Sequence, residues 1–187
     1  KTTYKKGELA KYIGNVFQNP KDQFFCDVVE YEIALVGENL GLDRDTLKEK
    51  VEKAMDLLGI NHISKKSIFK LSGGERQKVA IAGTLIYDTD IIFFDEPSSS
   101  LDYDSIKHFS EILLRLKAMG KTIIIAEHRL YYLKEIFSRL IYIKDGTICD
   151  VFPNGSLSNN KCKELELRTL NERELISEKE PIAAKSY

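Results

Sequence analysis

Ile91-Ile92-Phe93-Phe94-Asp95-Glu96-Pro97 is the stretch that decides how this chain folds. Four consecutive apolar residues without alternation describe a strand buried on both faces of a parallel sheet. Two adjacent carboxylates and a proline then end it. A strand that stops this way delivers Asp95 and Glu96 to the carboxyl edge of the sheet, where open α/β folds bind ligands. Neighbouring side chains diverge there, so the two carboxylates can do different work. One can hold a hydrated Mg2+, which takes oxygen ligands. The other can draw a proton from an attacking water. The plain alternative is a strand that simply runs into a polar loop.

Working outward, Thr122-Ile123-Ile124-Ile125-Ala126 reads as a second buried strand and Tyr12-Ile13-Gly14-Asn15-Val16-Phe17 as a third, closed by the turn Gln18-Asn19-Pro20. Helices are expected over residues 75–87 and 105–119, the latter ended by Gly120. This alternation of strand and helix is that of a parallel-sheet α/β domain. Residues 28–40 carry apolar positions at helical spacing. Asp43 is placed to cap a second helix, whose apolar face is Leu47, Val51, Ala54, Met55 and Leu58 and whose stop is Gly59. Residues 60–70 read as polar and irregular. Residues 130–137 suggest a short helix, and residues 140–144 and 147–151 a hairpin across Asp145-Gly146. After Pro153 the chain turns charged and loop-like, with one short helix expected near residues 163–176.

The chain has 187 residues, 43% apolar and 30% charged, with a formal net charge of −1. That balance describes a globular domain and no global field directed at nucleic acid. The longest apolar runs are too short to span a bilayer. Cys26, Cys149 and Cys162 fit neither a metal spacing nor a disulfide framework, which favours a reducing compartment. The chain opens on Lys1-Thr2-Thr3, polar and without a methionine, and reads as part of a longer protein.

A second signal is Leu71-Ser72-Gly73-Gly74-Glu75-Arg76-Gln77. A Ser and two glycines at a helix start offer a hydroxyl and backbone N–H groups to an anion, reinforced by the helix dipole. The plain reading is a Ser cap beside flexible glycines. His128 follows the second strand and belongs at the same sheet edge. Gln18 follows the third strand directly. His62 and His108 lie on a connector and on a helix and carry no such placement.

Taken in order, Gln18, then residues 71–77, then residues 91–97, then Ser98-Ser99-Ser100-Leu101-Asp102, then Glu127-His128 resemble the ABC ATPase cassette over residues 11–150. The resemblance implies an α/β, P-loop NTPase-like, mostly parallel sheet with an inserted helical lobe, here truncated at the N-terminus. Its divisions fall at residues 1–18 for the end of the first catalytic subdomain and 19–75 for the helical lobe. Residues 76–153 would form the α/β core and 154–187 a charged linker or tail. It implies ATP and Mg2+ as cofactors. Asp95 matches the residue that holds Mg2+, mostly through water, and Glu96 the general base. Gln18 matches the glutamine that touches the metal or the attacking water. His128 matches the switch histidine on the γ-phosphate. Ser72, Gly73 and Gly74 match the signature that meets ATP held by an opposite cassette, with Gln77 grouped beside them. Asp102 matches the D-loop aspartate that communicates across the dimer.

The implied partners are a second cassette, as homodimer, heterodimer or tandem repeat, and an integral membrane transport subunit, with no nucleic acid. The implied location is cytoplasmic, peripheral on the inner face of the cell membrane. Ile13-Gly14-Asn15-Val16-Phe17-Gln18-Asn19-Pro20, the following Gln23-Phe24-Phe25, and Ala126-Glu127-His128-Arg129-Leu130 are similar to the cobalt and energy-coupling-factor importers. Two departures stand out. The motif G-x-x-x-x-G-K-[ST] occurs nowhere in the chain, so the isolated chain is expected to hold ATP weakly and to be inactive. Glu127 stands where a Thr is common. A soluble ABC ATPase of translation or repair type is the alternative, as is an inactive interaction fragment. The repair type is disfavoured because the roughly fifty residues between Gln18 and Leu71 hold no sustained heptads.

Overall fold

The computed structural model describes residues 12–165 and 167. They divide into two compact units, one ending at Glu127 and the other beginning at His128.

The first unit is built on three parallel strands, β1 (Ile13–Val16), β2 (Ile91–Asp95) and β3 (Thr122–Ala126), in the order β1-β2-β3. The register sets Val16 beside Phe94 and Asp95 beside Ala126, so all three strands end at nearly the same level. Val16, Ile92 and Phe94 are buried on one face. Phe94 meets Phe109 edge to face, with ring centroids 5.4 Å apart and planes at 75°. Phe109 belongs to α4 (Tyr103–Ala118), which buries Ile106, Ile112, Leu113 and Leu116 beside it.

The opposite face is less covered than the unbroken apolar runs predict. Ile91 and Phe93 are half-buried, and Ile124, the register neighbour of Phe93, is 47% exposed. A run of isoleucines records only that both faces are apolar. It does not record how much of each face other segments cover.

The helical region is α1 (Val29–Asn39), α2 (Arg44–Leu58) and α3 (Gly73–Ile86), with α1 and α2 both packed on α3, which also touches β1. Asp43 caps α2 as expected, its carboxylate accepting from the N–H groups of Asp45 at 3.1 Å and Thr46 at 3.0 Å. The five apolar positions expected on α2 are the five that it buries. α1 and α2 approach closely at Gly37, where a Cβ would lie 2.3 Å from Leu47 Cδ1 and would require that side chain to shift.

Residues 60–70 correct the reading from sequence. They form two single 3-10 turns, Asn61–Ile63 and Ile68–Lys70, and bury Ile60, Ile63 and Ile68 almost completely. The backbone ties them to the start of α1: Val29 N–H donates to Lys66 O at 3.2 Å and Ile68 N–H to Asp27 O at 2.7 Å. Single-turn helices leave no periodic pattern, so buried isoleucines among polar neighbours read as a loop.

In the second unit, β4 (Arg139–Lys144) and β5 (Thr147–Pro153) form the expected antiparallel hairpin. Asp145 and Gly146 both take positive φ, 51° and 74°, as a two-residue turn of this hand requires. The helix expected over residues 130–137 is reduced to one 3-10 turn, Tyr131–Leu133, in a stretch heavy in aromatic residues of modest helix propensity. The helix expected near residues 163–176 is displaced: α5 (Asn159–Glu164) shares only Lys163 and Glu164 with it, Leu165 is a turn and Leu167 is not helical, and α5 buries Cys162 against Leu130 and Leu157. Residue 166 and residues 168–176 of that expectation lie outside the described residues.

Candidate functional site

Parallel register gathers the site. Gln18 lies two residues past Val16 and Glu96 two past Phe94, and those two strand residues are neighbours. Across 78 positions of sequence, Gln18 Nε2 donates to Glu96 Oε2 at 2.8 Å. Gln23 steadies the turn that presents Gln18, with Oε1 accepting from Phe17 N–H and Nε2 donating to Asn15 O, each at 3.3 Å.

Glu96 departs from strand geometry. Its φ is 41°, in the left-handed region that non-glycine residues seldom adopt. Its N–H donates to Ala126 O at 2.9 Å and its carbonyl accepts from Ser99 N–H at 3.0 Å. The chain therefore turns at Glu96, and its carboxylate points across the sheet edge toward Gln18. Asp95 is still in register with Ala126 and is exposed. An exposed carboxylate at a strand end is an oxygen donor of the kind a water-rich Mg2+ site uses. It is not a dedicated cage: among the described residues no three His, Cys, Asp or Glu side chains cluster to hold a metal.

Gln77 lies in α3, five residues past Ser72. It is 5% exposed, and its Nε2 donates to Pro97 O at 2.8 Å. It holds the turn after Glu96 from inside the fold. Sequence reasoning reached Gln77 only through the motif around it, which records spacing and not the direction of a side chain.

The signature stretch starts α3 with a reciprocal cap. Glu75 N–H donates to Ser72 Oγ at 3.2 Å, and Ser72 N–H to Glu75 Oε2 at 2.8 Å. The Ser72 backbone N–H, foremost, holds the Glu75 carboxyl below its ordinary value. A carboxyl depressed in the folded state contributes stability above its unfolded pKa and loses it as pH falls through the folded value. Glu75→Ala is expected to cost about 1 kcal/mol at neutral pH. Glu75→Gln is expected to flatten the loss of stability below about pH 4.5, the ordinary value for this group. Thermal melts of the three proteins from pH 7 to pH 3 check both outcomes.

The glycines of the signature are pressed against the segment after β2. A Cβ on Gly73 would stand 3.1 Å from Ser100 O, and one on Gly74 3.0 Å from Ser105 Oγ. Asp102 caps α4 in that segment, accepting from Ser105 N–H at 2.8 Å, and the Ser105 hydrogen bonds lower its carboxyl pKa. Ser72, Gly73, Gly74 and Asp102 thus belong to two touching segments of one surface. His128 is exposed and lies two residues past β3, as the first residue of the second unit. His62 and His108 are surface residues, His108 Nδ1 lying 3.7 Å from Glu111.

The pattern that describes ABC transporters matches residues 2–99, more than half of the chain. The chain belongs to the ABC transporter family. Among ABC transporter relatives, a putative ABC transporter ATP-binding protein of Treponema denticola is 42% identical over 88% of this chain and 34% of its own length. The energy-coupling factor transporter ATP-binding protein EcfA1 of Thermotoga maritima is 38% identical over 75% of this chain and 54% of its own. This chain therefore spans about a third to a half of the curated ABC transporter relatives it matches. The solved structure of cbiO1 from Clostridium perfringens, part of the ABC transporter complex cbiONQ, superposes with a TM-score of 0.75 at 28% identity. That match covers 94% of this chain and 66% of cbiO1. The expected fold class, α/β with a mostly parallel P-loop NTPase-like sheet, holds for this ABC transporter chain.

Proposed function

We propose that this chain is part of the ATP-binding and hydrolysing subunit of an energy-coupling-factor or cobalt-type importer. The contact between Gln18 and Glu96 carries the reading, because it joins the amide and the carboxylate that the chemistry needs in one place. Phosphoryl transfer from ATP to water requires chiefly an oriented nucleophile and stabilised charge. Glu96 takes the proton of the attacking water, and Gln18 orders that carboxylate and the water. Asp95 would hold Mg2+, which when bound would offset negative charge on the phosphates. His128 contacts the γ-phosphate. Ser72, Gly73 and Gly74 meet the ATP of an opposite cassette, and Asp102 passes the state of one site to the other.

Residues 19–75 belong to the helical lobe that meets an integral membrane subunit on the cytoplasmic face. The likeness to cbiO1 and to EcfA1 supports an importer that moves a metal ion or a vitamin. No helix among the described residues is long and apolar enough to cross a membrane, which suits a peripheral subunit.

Gln18→Ala tests the reading in the full-length protein. The turnover number for ATP hydrolysis is expected to fall about 10- to 100-fold, since the base and the water lose their common partner. Turnover at the parent rate would overturn the assignment of this contact to catalysis.

A further inference from the structure

Glu127 has no part in the chemistry assigned so far. It follows β3 directly, one residue past Ala126, which the register pairs with Asp95. Its Oε2 accepts from Ser98 N–H at 3.2 Å. One residue earlier, Ala126 O accepts from Glu96 N–H at 2.9 Å. The end of β3 therefore holds two amides of the turn that follows β2, one through a backbone carbonyl and one through a side chain. On the same turn, Gln77 holds Pro97 O from within. Pro97 and Ser98 are buried, so the turn is fixed by these groups and not by solvent.

The turn needs such holding. Glu96 sits at a φ of 41°, a conformation that a glutamate keeps only when its surroundings impose it. A carboxylate accepting from a backbone N–H is about twice as strong a hydrogen bond as a neutral pair. We infer that Glu127 is a positioning residue for hydrolysis: through the Ser98 N–H it fixes the turn over residues 96–99, and with it the aim of the Glu96 carboxylate at Gln18. A Thr at position 127 has a side chain two bonds shorter, so in this chain the glutamate's reach is what closes the link. The inference rests on the reading of Glu96 as the base.

The test uses the full-length protein with Glu127→Ala, Glu127→Gln and Glu96→Gln. Three quantities are read: kcat for ATP, KM for ATP, and the exchange rate of the Ser98 amide by NMR. Glu127→Ala is expected to lower kcat about tenfold with KM changed less than about twofold, and to speed Ser98 exchange about tenfold. Glu127→Gln keeps an acceptor oxygen at the same reach and is expected to return kcat and the Ser98 exchange rate to within about threefold of the parent. A parent kcat in Glu127→Ala overturns the role of Glu127, as does a rise in KM alone. Glu127→Gln as slow as Glu127→Ala, with Ser98 exchange restored, also overturns it, because the charge and not the hydrogen bond would then matter. Glu96→Gln separates the two ideas. Parent-rate hydrolysis there overturns the reading of the base and this inference together. Loss of hydrolysis there, beside a fully active Glu127→Ala, overturns the inference alone.

Discussion

Glu96→Gln in the full-length protein is expected to lower ATP hydrolysis about 100- to 10,000-fold while ATP binding is kept, the range that loss of a positioned general base produces. The substitution changes almost nothing else. Glutamine has the shape of glutamate, can keep a hydrogen bond to the Gln18 amide, and can occupy the same left-handed backbone. It cannot accept a proton from water at neutral pH. ATP that binds and is not hydrolysed should hold paired cassettes closed. Hydrolysis by single turnover and dimerisation by size-exclusion chromatography with ATP are the two measurements. A variant that turns over ATP at the parent rate would show that the base lies elsewhere.

The largest effect on stability is expected from Phe94→Ala, at about 3–5 kcal/mol. Phe94 is fully buried in the central strand and packs edge to face on Phe109. Its removal opens a cavity between β2 and α4 that neither rigid element can collapse to fill. The loss should appear as a lower midpoint in urea denaturation with an unchanged slope. Because Asp95 ends the same strand and Glu96 follows it directly, the site should lose its order with the core. A cost under about 1 kcal/mol would mean that the sheet face repacks, against the rigidity expected of a close-packed interior.

Much of the fold was legible because its signals are local. The Asp43 cap, the buried face of α2 and the Asp145-Gly146 turn each follow from the chemistry of a few adjacent residues. Residues 60–70 were not legible, since burial of Ile60, Ile63 and Ile68 depends on α1 lying against them. The half-open face over Phe93 and Ile124 was hidden for the same reason.

For the site, the order of Gln18, the signature, Asp95-Glu96 and His128 along the chain already pointed to an ABC cassette, and the family match agrees. Sequence alone determined which chemical groups are present and that strands carry them to one edge, because residue type and periodicity are properties of neighbours in the chain. Only the tertiary structure decided that Gln18 touches Glu96, that Gln77 turns inward to Pro97, and that Glu127 reaches Ser98. Those contacts join residues 20 to 78 positions apart, and strand register and the backbone turn at Glu96 set them. Neither leaves a mark in the spacing of residues along the chain.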